Sequence, residues 1–213
     1  MTEEKEKIIR ALRLPVIFAA LFFAVMLFEF FTGISLSQYG IIPRQTEGVP
    51  GIFVAPFLHA NFNHLISNVI PFLILGFGLF YFYPQSSIIV FAASFLSTNI
   101  LVWLFAREAV HIGVSGVVYS LASFHFFSGI FKRDTRSITL AILVVFIYGG
   151  MVWGILPVDK GISWESHLFG GITGLVCALL FRKKDVYKKY EWEDEESEVP
   201  PEKLEIRYDK DWN

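Results

Sequence analysis

Four side chains in this sequence are of the types that acyl-transfer chemistry needs: Ser115, His167, His64 and Asn68. A serine hydroxyl is a poor nucleophile until a neighbouring base takes its proton, and His167 is a base of suitable pKa. The tetrahedral intermediate develops an oxyanion, which needs donors fixed beforehand. His64 and Asn68 stand at i, i+4 spacing, on one helix face, and both carry side-chain donors. Ser115 closes the run His111-Ile-Gly-Val-Ser115 and is followed by Gly116. It falls at an expected helix start, where free backbone N–H groups and the helix dipole favour negative charge. Gly113 and Gly116 let other backbone approach the serine, and Tyr119 lies one helical turn beyond it.

Something must bring these residues together, and the composition says what. The 213 residues are 54% hydrophobic and only 18% charged, with a mean hydropathy of +0.53. An ordinary soluble domain is about a quarter charged. Of the 18 basic and 20 acidic residues, 7 lie within 1–13, 19 within 182–213, and 12 in the long stretch between. A soluble enzyme is excluded, as is a nucleic-acid binder, which needs a basic patch. The single Cys177 excludes a disulfide scaffold. The pattern is that of an all-α, polytopic membrane protein, because lipid offers backbone amides no partners.

A bilayer core of about 30 Å takes about 20 helical residues. Six stretches qualify: 14–33, 62–83, 86–106, 114–131, 137–156 and 164–181. The expected organisation is a cytoplasmic N-terminal segment (1–13), a six-helix membrane domain (14–181) and a charged cytoplasmic tail (182–213) whose acidic end, from 191, is expected to be disordered. Lys and Arg set the orientation. Twelve of them flank the N-terminus, the link between spans four and five, and the end of span six, against Arg44, Arg107 and Lys160 on the other side. Both termini are therefore expected in the cytoplasm.

With that topology, spans two, four and six all begin at the outer face, and each carries its polar residues near that start. Ser115, His167, His64 and Asn68 then fall at one depth. Gly170, Gly174 and Ala178 recur every four residues on the face of span six that carries His167, and Gly116 and Ser120 have the same spacing on span four. Such small-residue stripes permit close helix contact. Residues 34–61 form a long outer loop, rich in Gly and Pro yet too hydrophobic for a solvated linker, and are expected to be compact in the membrane interface. The small polar residues of spans two, three (Ser94, Ser97, Thr98, Asn99) and four are expected to line a water-filled cavity.

The motifs HANFNHLISN (59–68), GVSGVVYS (113–120) and SHLFGGITG (166–174), in this order across six spans, resemble those of the rhomboid intramembrane serine proteases. The resemblance covers roughly residues 34–181. It implies Ser115 as nucleophile and His167 as general base, without a third carboxylate. It implies Tyr119 stacked on the His167 ring, and an oxyanion hole made by the Ser115 N–H with the side chains of His64 and Asn68. His59 would support the outer loop, and span five with the loop at 157–163 would form a mobile gate and cap. The implied reaction is cleavage of single-pass membrane proteins near the outer face, with a small residue at the scissile position and no cofactor. The implied location is a plasma membrane, bacterial for want of an organelle-targeting segment. Val114, Phe169 and an outer loop without a Trp-Arg pair depart from the common pattern. The alternative is a catalytically inactive rhomboid-like protein that binds membrane segments. A transporter would need ionisable groups along a whole membrane path, whereas here they cluster at one depth.

Other polar residues have structural readings. Glu29 is expected to anchor the outer loop by hydrogen bonding, His125 to pack, and Glu165 to face away from His167. The zinc-protease pattern H-E-x-x-H is missing, so no metal is expected. Nothing in the sequence sets an oligomeric state.

Overall fold

The computed structural model of the chain describes residues 2–157, 161–185 and 187. The acidic tail and Lys160 lie outside the described residues, as does the middle of the loop following span five. Everything described is helix, turn or loop, with one isolated β-bridge between Ile41 and His111. The helices are α1 (Glu3–Thr32), α2 (Gly51–Val54), α3 (Phe62–Phe82), α4 (Ser87–Phe105), α5 (Ser115–Lys132), α6 (Thr135–Tyr148) and α7 (Trp164–Leu180). Helix α6 continues into a 3-10 turn, Gly149–Ile155.

Helix boundaries follow local chemistry. The side chain of Asn61 accepts from the His64 N–H at 2.9 Å and caps α3. Asp134 does the same for α6 through the Ser137 N–H, at 2.9 Å. Gly33, at φ 70°, ends α1 in the left-handed conformation. Helix α1 starts at Glu3, so the charged N-terminal residues continue the first expected span as one helix.

Among the described residues, four helical segments are long and apolar enough to cross a membrane: Glu3–Thr32, Phe62–Phe82, Ser87–Phe105 and Thr135–Ile155. Helices α5 and α7 fall short of that measure. Helix α7 has 17 residues, and α5 carries Ser115, Ser120, Ser123, His125 and Ser128. Among the described helices, these two share the most extensive contact. A helix enclosed by others need not be apolar all round.

The core lies where α1, α3, α4 and α5 meet. Phe22, Phe72 and Phe91 are buried there with Leu65, Leu79 and Leu121. Phe22 and Phe72 stack edge to face with ring centroids 5.3 Å apart, a geometry that aromatic quadrupoles favour. Outward faces are apolar too: Phe31 is 79% exposed and Phe146 is 87% exposed. Surfaces of this kind suit lipid, and buried polar groups lie within.

The contact between α5 and α7 depends on missing side chains. A Cβ on Gly170 would overlap the Gly116 carbonyl, and one on Gly174 would overlap that of Ser120. The two small-residue stripes therefore meet in register, Gly116 against Gly170 and Ser120 against Gly174.

The loop between α1 and α3 is compact. Glu29 accepts from the Leu36 N–H at 2.7 Å, which anchors the loop's start as expected. Ile41 and His111 exchange both backbone hydrogen bonds at 2.9 Å. The Trp103 indole donates to Gln45 O at 3.0 Å, and Asn99 donates to Ile52 O at 2.8 Å.

Candidate active site

The loop bridge to His111 fixes the approach to α5. Gly113 follows at φ 104°, a region in which a side chain is strained. Its N–H donates to Ala55 O at 2.8 Å, and an added Cβ would stand 3.0 Å from the His64 ring. This turn delivers Ser115 as the first residue of α5. The first N–H groups of a helix have no acceptor within it, so the serine sits among free backbone donors.

His167 comes from the first turn of α7, whose glycines bring the helix against α5. Its Nε2 lies 2.9 Å from Ser115 Oγ. Its Nδ1 lies 2.9 Å from Gly154 O in the 3-10 turn. The Tyr119 ring covers the imidazole, with centroids 4.0 Å apart and planes 7° from parallel. The Tyr119 hydroxyl donates to Met151 O at 2.7 Å, in the same turn. A serine hydroxyl against an imidazole held on two other sides is an arrangement that can pass a proton.

His64 and Asn68 lie one turn apart on α3. The Asn68 amide donates one hydrogen to His64 O at 2.7 Å. The His64 Nδ1 accepts from the Ala60 N–H at 3.4 Å, which leaves Nε2 as the protonated nitrogen. His64, Asn68, Ser115, Tyr119 and His167 all line one cavity of about 810 Å³, with His111, Ser67 and Met151 also on its wall.

His59 stands behind this group. It is buried, its ring packs on those of Phe22 and His64, and its Nε2 accepts from the Val114 N–H at 3.5 Å. Burial, with the neighbouring His64, pushes its pKa down from 6.5 to about 4, so the ring is neutral.

Spans two and four line the cavity as expected, through Ser67 and Asn68 and through Ser115. Span three does not: Ser94, Ser97, Thr98 and Asn99 of α4 are absent from its wall. Ser94 and Ser120 share a hydrogen bond of 2.8 Å, Thr98 donates to Thr173 at 3.4 Å, and Asn99 holds the outer loop. Hydroxyls on a helix in an apolar bundle take the nearest polar partner. Here that partner is a neighbouring helix, and the cavity opens between α3, α5 and the segments before α7.

Several contacts with clear parts in this geometry were not read from the sequence. Asn61 caps the helix that presents His64, and its place just before an apolar run was a readable signal. Arg107 and Glu165 pair at 3.5 Å, with Glu165 buried, and Arg107 also donates to Ile162 O at 2.8 Å. His111 Nδ1 and Ser163 Oγ are 2.6 Å apart. These contacts tie the entry of α7 to the entry of α5. Gly154 and Met151 act through backbone carbonyls, which no residue type announces. His125 is a packing residue as expected: it is buried, and its Nδ1 donates to Leu121 O at 2.7 Å.

Comparison with known proteins adds a lineage. Residues 46–184 match the family model described as the Rhomboid domain. An uncharacterized protein of Mycobacterium tuberculosis is 36% identical over 76% of this chain and 72% of its own length. An uncharacterized protein of Mycobacterium leprae is 36% identical over 76% of this chain and 68% of its own. Rhomboid-related protein 1 of Caenorhabditis elegans is 28% identical over 64% of this chain and 45% of its own.

Proposed function

The chain belongs to the rhomboid family, and on that premise we propose that it is an intramembrane serine endopeptidase working through a dyad of Ser115 and His167. The observation that carries the reading is the 2.9 Å approach of Ser115 Oγ to His167 Nε2 on the wall of a cavity. His167 takes the hydroxyl proton as Oγ attacks the scissile carbonyl carbon. The oxyanion that forms is met by the Ser115 N–H and by donors from His64 and Asn68. The protonated imidazole then gives its proton to the leaving amine as the C–N bond breaks, leaving an acyl-enzyme. Water attacks the ester with His167 again as base, and Ser115 is regenerated. No cofactor enters any step.

The substrates are single-pass membrane proteins cut near the outer face at a small side chain. Six helices (α1, α3, α4, α5, α6 and α7) cross a plasma membrane, bacterial by our reading, with both termini in the cytoplasm. Helix α5 crosses as the enclosed centre of the bundle, which accounts for its polar content, and α7 crosses beside it with His167, Gly170 and Gly174 turned inward and Ile172, Val176 and Leu179 outward. The basic residues on one side support this orientation.

A fluorophosphonate tests the reading, since only an activated serine reacts with it. The purified protein is expected to label at Ser115, and His167→Ala to abolish labelling. A folded wild-type protein that stays unlabelled would favour the inactive, segment-binding relative.

A further inference from the structure

We propose that the Gly154 carbonyl is the positioning group for His167, filling the place that a carboxylate holds in a serine triad. This rests on the dyad reading above.

A neutral imidazole carries one N–H, and the partner of one nitrogen decides the state of the other. The Gly154 carbonyl can only accept. At 2.9 Å from Nδ1 it requires the hydrogen there, because the other tautomer would set two lone pairs against each other. Nε2 is then left with the lone pair that faces Ser115 Oγ. That is the state a general base needs. Glu165, the acidic residue of this helix turn, is engaged with Arg107 instead.

A side chain at this position has to push the Tyr119 hydroxyl aside. A Cβ on Gly154 would overlap the Tyr119 hydroxyl and stand 3.1 Å from His167 Nδ1. The turn also takes the Tyr119 hydroxyl bond at Met151 O. Two hydrogen bonds from the His167–Tyr119 stack thus end on one short 3-10 turn, Gly149–Ile155. Neighbouring Gly150 differs: nothing lies within 4 Å of a Cβ built there. The close fit is therefore a property of position 154, not of glycine in this turn generally. The seating of this turn on the dyad makes the base competent, and a displaced turn leaves His167 without its orienting acceptor.

The test uses full-length protein labelled with 15N-histidine, with the His167 resonances assigned by their loss in His167→Gln. Wild type is expected to carry the His167 hydrogen on Nδ1, and an Nε2–H tautomer overturns the proposal without any variant at position 154. Gly154→Ala is expected to shift the tautomer balance and lower kcat by at least about tenfold with KM little changed. Gly150→Ala is expected to leave both within twofold. Tyr119→Phe, which keeps the Gly154 bond, is expected to keep the Nδ1–H tautomer. Unchanged tautomer and kcat in folded Gly154→Ala would overturn the proposal. Absence of fluorophosphonate labelling in wild type would instead overturn the dyad reading, and the tautomer is read without activity.

Discussion

At the scale of residues, His64 and Asn68 decide how much of the chemistry comes from the oxyanion site. Asn68 spends one amide hydrogen on His64 O, which fixes its amide plane and leaves the second hydrogen available. Such donors act on charge that exists only in the transition state. His64→Ala and Asn68→Ala are each expected to lower kcat by about 10²–10³ with KM little changed. Steady-state kinetics on a membrane-anchored substrate checks this, and a loss confined to KM would make them substrate-binding groups. Ser115, His167, His64 and Asn68 were legible because each is an expensive polar group inside an apolar body. The pairing of Arg107 with the buried Glu165 went unread, because their partnership spans fifty-eight residues of chain and no local spacing betrays it.

At the scale of elements, the register of α5 on α7 sets the dyad distance. Gly170 and Gly174 let α7 rest on carbonyls of Gly116 and Ser120, so one added methyl group must separate the helices. Gly174→Ala is expected to destabilise the protein by about 1–3 kcal/mol and to reduce fluorophosphonate labelling of Ser115. Thermal denaturation in detergent, with labelling on the same samples, measures both. An unshifted midpoint would mean that the helices touch elsewhere. This contact was readable because small residues at four-residue spacing have few other uses on an apolar helix. The α4 hydroxyls were misplaced on the cavity wall because spacing gives the face of a residue but not the neighbour of that face. Ser94 and Thr98 face other helices, and only packing reveals it.

At the scale of the whole molecule, hydropathy gave six spans where length and composition of the helices give four. The difference lies in α5 and α7, the helices that carry Ser115 and His167. Burial of α5, and of the α7 face that meets it, lets these two hold polar groups. The orientation inferred from Lys and Arg has a direct check. In a Cys177→Ala background, a cysteine at Thr46 is expected to react with a membrane-impermeant maleimide from outside intact cells. One at Arg133 is expected to react only after permeabilisation. The opposite pattern would place the cavity at the inner face.

The most direct measurement is cleavage of a single-pass substrate by purified protein in liposomes, with wild type and Ser115→Ala compared side by side. The account predicts cleavage within the substrate's membrane segment near the outer face by wild type, and none by a folded Ser115→Ala variant. Cleavage that survives in Ser115→Ala, or a folded wild type that never cuts, would contradict it.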